Sequence, residues 1–166
     1  MADGGASTFI LLITGLLISS SVSALLITEW SNAAKVAQIQ QRGVQLQSEV
    51  DIDFSGDPMM VDLNLITSPE EITFYVQNTG IHTMDESTLG VFIDGSTPAG
   101  ISTSFAGTPT PTTWEPNGLL VVVLRDGNFA TDYSEGDDVS LFVIASSETV
   151  NGLSSSANFN VEVRLS

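Results

Sequence analysis

The side chains best suited to chemistry are few and scattered. His82, in NTGIHTMD, is the only histidine, and cysteine is absent. A histidine base needs a nucleophile and an orienting group in reach. No such spacing surrounds His82, which reads as an exposed turn residue after Gly80. Two acidic groups, Asp51, Asp53 and Asp57 and then Glu135, Asp137 and Asp138, offer the oxygen ligands that Ca2+ takes. Neither has the spacing of a calcium loop. The DGG near the amino end lacks the preceding strand and following lysine of a phosphate-binding loop. Without cysteine there is no disulfide framework, thiol nucleophile or Cys-ligated zinc. These residues predict no enzyme, no cofactor and no metal site.

Charge narrows the partners. Twenty Asp and Glu against four Lys and Arg give a formal net charge of −16. Such a surface repels phosphate backbones and predicts no nucleic-acid partner. It suits a medium of high salt, where screening shortens the range of self-repulsion, so the sequence reads as that of a halophilic organism.

The elements that would carry these residues change character along the chain. From Thr8 to Thr28, TFILLITGLLISSSVSALLIT is uncharged and apolar, long enough to span a bilayer. Met1 to Thr8 carries only Asp3, whereas a secretory signal opens with positive charge. Helix formers continue through SNAAKVAQIQQRGVQLQSEV, and Trp30, Ala33, Ala34 and Ala37 share one side of the helix. One helix is therefore predicted from about Ser7 to about Val50, roughly 65 Å long, with Gly43 its weak point. Gly15, Ser19 and Ser23 recur every fourth residue and align on one face, which permits close approach of a second helix. They are the candidate helix–helix assembly residues.

Beyond residue 50 the period becomes two. MMVDLNLI, EITFYVQNTG, LGVFIDG, TPAGISTSFAG, LLVVVLRDG, DDVSLFVIAS and ANFNVEVRLS are seven strand candidates bounded by Gly, Pro, Asn or Asp. The predicted fold is α+β, mainly β: a helical segment over 1–50, then an immunoglobulin-like antiparallel β-sandwich over 51–166. AGTPTPTTWEPNG reads as a loop, with Trp114 either capping the sandwich end or exposed as a partner contact.

The order of these motifs carries a resemblance. STFILLITGLLISSSVSALLITEW, the junction SEVDIDFSGDP, FYVQNTG, LGVFIDG and TTWEPNG together resemble the archaeal flagellar (archaellum) protein G family, over Ser7 to about Leu124. Archaellum protein F and the archaellin and type IV pilin-like subunits are its relatives. The resemblance implies a structural component of the archaellum stator, anchored in the cell membrane by its helix. It implies a sandwich outside the cell that contacts copies of itself and protein F and, through F, the surface-layer protein. The alternative is a pilin-like filament subunit that polymerises through the helix. Gly5-Ala6 offers a prepilin-type cleavage site, but Asp3 stands where a basic residue usually precedes one, which favours the uncut stator protein. Lys35 and Arg42 follow the apolar run, so the positive-inside rule alone would place the sandwich in the cytoplasm; the acidic, cysteine-free composition favours the outside.

Overall fold

The computed structural model describes residues 3–108 and 110–166. It is an α+β structure, mainly β, with a long amino-terminal helix followed by two antiparallel sheets. The chain divides into two compact units at Arg42/Gly43. Met1 and Ala2, in the predicted helical segment over 1–50, and Pro109, in the predicted proline loop, lie outside the described residues.

Helix α1 runs Asp3–Glu49 without interruption, passing through Gly43. Strong helix formers on either side of Gly43 outweigh its cost of about 1 kcal/mol. Within the first unit, Phe9, Ile10, Leu11, Leu12, Leu16, Leu17 and Ile18 are all exposed, as are Leu25, Leu26 and Ile27. Neighbours in sequence point to different sides, so the segment is apolar all round rather than amphipathic. Five of its hydroxyls, those of Thr14, Ser20, Ser21, Ser23 and Thr28, bond back within the helix. Thr14 donates to the Ile10 carbonyl at 2.8 Å, Ser21 to Leu17 at 2.8 Å, Ser23 to Ser19 at 2.8 Å and Thr28 to Ala24 at 2.9 Å. Back-bonding of this kind lets serine and threonine sit in an apolar helix without unpaired donors.

The second unit contains the last two turns of α1 and the sandwich. Its strands are β1 (Ile52–Ser55), β2 (Asp62–Asn64), β3 (Glu70–Asn78), β4 (Met84–Ile93), β5 (Gly100–Ala106), β6 (Leu119–Asp126), β7 (Asp138–Ser147) and β8 (Ser156–Arg164). One sheet has the order β1-β3-β6-β5, with β2 also on β3; the other is β4-β7-β8. This is the strand order of a constant-type immunoglobulin sandwich, with β1 and β2 sharing the place of its first strand. β1 covers β3 from Tyr75 to Asn78 and β2 covers it from Glu71 to Thr73. Between them the chain leaves the first sheet and joins the end of β8 in parallel. There Val61 N–H donates to the Arg164 carbonyl at 3.0 Å and Arg164 N–H to that of Pro58 at 2.7 Å.

The sequence reading differs in two places. It folded DIDFS into a junction, yet the four residues Ile52–Ser55 form an edge strand, because Ile52 and Phe54 alternate inward while Asp53 faces water. It also missed α2, a single turn over Phe129–Asp132 that inserts Phe129 into the core, where its ring meets Tyr133 at 5.8 Å.

Period two places the core. Ile72, Phe74 and Val76 of β3, Leu120, Val122 and Leu124 of β6, and Leu141, Val143 and Ala145 of β7 are buried, with Val91 and Ile93 of β4 among them. Each large aliphatic or aromatic side chain buried this way contributes about 1.5–3 kcal/mol. Leu46 and Val50 join the same core from the end of α1 and the residue after it.

Candidate functional site

The polar residues that the fold brings together lie where α1 enters the sandwich. Helix α1 ends at Glu49, whose backbone carbonyl would be unpaired at a helix terminus. The loop between β3 and β4 supplies its partner. Ile81 N–H donates to the Glu49 carbonyl at 2.9 Å, and Thr79 and Gly80 N–H both donate to that of Asp51, at 3.1 and 3.0 Å. Gly80 has to be glycine here: a Cβ would lie 2.7 Å from the Glu49 carbonyl oxygen and 2.7 Å from the Asp51 nitrogen.

Asn78 fixes that loop from beneath. Its side chain is fully buried, with Nδ2 donating to the His82 carbonyl at 2.8 Å and to the Trp114 carbonyl at 3.1 Å. Its Oδ1 accepts from Gly80 N–H at 3.1 Å. A buried amide with both ends engaged ties β3, the loop between β3 and β4, and the Trp114 loop into one network.

His82 completes the joint. Its Nε2 lies 2.8 Å from Glu49 Oε2, with the histidine side chain 23% and the glutamate 28% exposed. The expectation of an exposed turn histidine is therefore corrected: the loop folds back on the helix end, a contact 33 residues apart in sequence. The hydrogen bond from His82, then that from Gln45, holds the Glu49 carboxyl below the usual carboxylate range.

Trp114 is 1% exposed, with its indole N–H donating to the Gly118 carbonyl at 3.0 Å and its own carbonyl accepting from Met84 N–H at 3.0 Å. It caps the sandwich end, and its side chain offers no surface for the partner contact considered from sequence. Burial of the indole is worth more than its display once a carbonyl stands in reach of the N–H.

The acidic groups are used singly. Asp51, Asp53 and Asp57 accept backbone N–H groups of Ile52, Phe54 and Met59 within their own turns. Asp137 accepts from Ser134 N–H at 2.8 Å, and Asp138 accepts from Arg164 Nε and Nη2, each at 2.7 Å. Among the described residues, no three His, Cys, Asp or Glu side chains converge as a metal site.

Gly15, Ser19 and Ser23 lie on the exposed surface of α1 in the first unit, and nothing stands within 4 Å of a Cβ built on Gly15. The helix is long and apolar enough to cross a membrane, with mean hydropathy 2.4 over its most apolar window.

The joint escaped the sequence reading because its partners are far apart in the chain. Only NTG after the strand EITFYVQ signalled it, and there Asn and Gly read as an ordinary turn.

These features define a class: an immunoglobulin-like sandwich borne on a long apolar helix. No protein-family model and no curated protein matches the sequence. Among solved structures, the yeast GGA1 GAE domain is similar at 12% identity and a TM-score of 0.31, over 69% of this chain and 90% of that one. That likeness is too slight to carry an argument about function.

Proposed function

We propose that this chain is a structural component of an archaellum stator, held in the cell membrane by α1 with its sandwich outside the cell. The observation that carries the reading is the joint. The end of an apolar helix is fastened into a β-sandwich by Glu49, Asp51, Asn78, Gly80 and His82, as a part that passes force from membrane to envelope requires. Its partners in this reading are copies of itself and protein F, with the surface layer beyond, as the sequence resemblance implies. Cells lacking the protein, or carrying Ser23→Lys in the helix, are expected to make archaellin yet fail to swim, because torque has no fixed point. Normal swimming in a clean deletion strain removes the proposal.

One observation favours the filament alternative. Gly15, Ser19 and Ser23 face outward, and Ser23 spends its hydrogen on Ser19, leaving a smooth small-residue face of the kind helices pack through. Isolated filaments built mainly of this chain and beginning at Ala6 in mass spectrometry would establish it instead.

A further inference from the structure

The two sheets end in four edges: β5 and the β1–β2 pair in the first, β4 and β8 in the second. An uncovered strand edge templates pairing with another chain unless charge, proline or irregularity blocks it. Three edges are blocked. β1 and β2 carry Asp53 and Asp62 and are separated by a turn containing Pro58. β4 carries Asp85 and Glu86 and loses its register between Asp85 and Gly90. β8 carries Glu162, its Arg164 is bound to Asp138, and its end is already occupied by the Pro58–Val61 segment.

β5 has none of these devices. Its sequence, GISTSFA, holds no charge and no proline, and it pairs with β6 at all seven positions without a bulge. It is the one strand of the sandwich with no charged residue. The uncharged stretch around it extends from Gly95 to Trp114 in a chain of net charge −16. Among the described residues, no strand pairs with its outer edge.

We propose that β5 is a strand-addition surface and that its occupant is β5 of a second copy, paired antiparallel about a two-fold axis. Charge selects this occupant. Two copies meeting through β1–β2 or β4 would bring carboxylates together, and like charges facing across strands are destabilising. Pairing through β5 brings none. The sequence is also self-complementary when reversed about Thr103. Ile101 then faces Phe105 and Ser102 faces Ser104, a β-branched–aromatic pair on one side of the sheet and a hydroxyl pair on the other. Ile101 is 40% exposed in the isolated chain, and this pairing covers it. Seven residues make a small interface, so the contact acts where copies are already concentrated in one membrane. It uses a different element from the Gly15, Ser19 and Ser23 face and does not depend on the archaellum reading.

The absence of cysteine makes the test direct. Residues directly opposite in an antiparallel pair have Cα atoms about 4.5–5.5 Å apart, a distance a disulfide spans. Full-length protein in detergent or membranes, carrying Thr103→Cys, which faces its own copy, or as an equal mixture of Ser102→Cys and Ser104→Cys chains, which face each other, is oxidised mildly and compared with Asn158→Cys on the exposed edge of β8. Disulfide-linked dimer several-fold above the Asn158→Cys control, in Thr103→Cys, in the mixture or in both, is expected. Adding Ile101→Lys should return it to the control level; Ser104→Lys replaces Ile101→Lys in the Thr103→Cys background if the latter lowers the melting temperature. Cross-linking no greater than the control in both Thr103→Cys and the mixture overturns the proposal, as does cross-linking that survives the lysine in a folded variant.

Discussion

Residues 3–42 and 43–166 solve opposite problems. The helix of the first unit exposes its apolar side chains and closes its hydrogen bonds internally. The second unit buries its apolar side chains and displays acid: eighteen of the twenty carboxylates lie in it, and its two arginines are both ion-paired, Arg125 to Glu71 and Arg164 to Asp138. The first surface suits a solvent of lipid or neighbouring helices, the second water. A single-site change should therefore cost folding stability in the second unit and association in the first.

The strongest break in that comparison is Trp114→Ala. It empties the largest buried side chain of the sandwich and removes one of the two hydrogen bonds that the Gly118 carbonyl accepts, and should destabilise the second unit by about 3–5 kcal/mol in urea denaturation. Ser23→Leu in the helix should leave the same transition unmoved while changing the sedimentation of the full chain. A shift of less than about 1 kcal/mol for Trp114→Ala would mean the sandwich end is not closed as described.

Two glycines sharpen it. Gly80→Ala drives a methyl into the backbone of Glu49 and Asp51 and should cost about 1–3 kcal/mol, with loss of amide protection at Thr79, Gly80 and Ile81. Gly43→Ala meets nothing within 4 Å and should stabilise the helix at the division between the units by about 1 kcal/mol, raising thermal stability by circular dichroism. Equal effects of the two would erase the distinction between a glycine required by close approach and one merely tolerated in a helix.

The smallest effect concerns pH at the joint. Glu49 titrates below its ordinary value of 4.5 in the folded chain, held there first by His82. The stabilisation is complete above that unfolded value and is lost as pH falls through the lower folded one. The pH dependence of melting between about 5 and 3 should flatten slightly in Glu49→Gln, and Glu49 should titrate closer to its ordinary value in His82→Ala when followed by carboxyl NMR. An unchanged Glu49 titration in His82→Ala would break the pairing.

The legible parts of this protein are those written in short-range periodicity. STFILLITGLLISS and LLVVVLRD each determine their element, because membrane-spanning length and a short apolar, β-branched run bounded by turn residues are properties of one segment alone. Trp114 was half legible: a large aromatic in a proline-rich loop can cap or protrude, and only the Gly118 carbonyl beside its N–H decided for capping. His82 and Glu49, Asn78 and Trp114, and Pro58 and Arg164 were not legible, nor was β1 as an edge strand. Each depends on segments tens of residues apart arriving at one place, and a hydrogen bond falls off too steeply with distance and angle to be inferred before the sheets are stacked. The sequence by itself determined a membrane-length apolar helix and an acidic two-sheet sandwich. The tertiary structure alone decided how the helix end is locked to the loop between β3 and β4, and which edge of the sandwich is left uncharged and open.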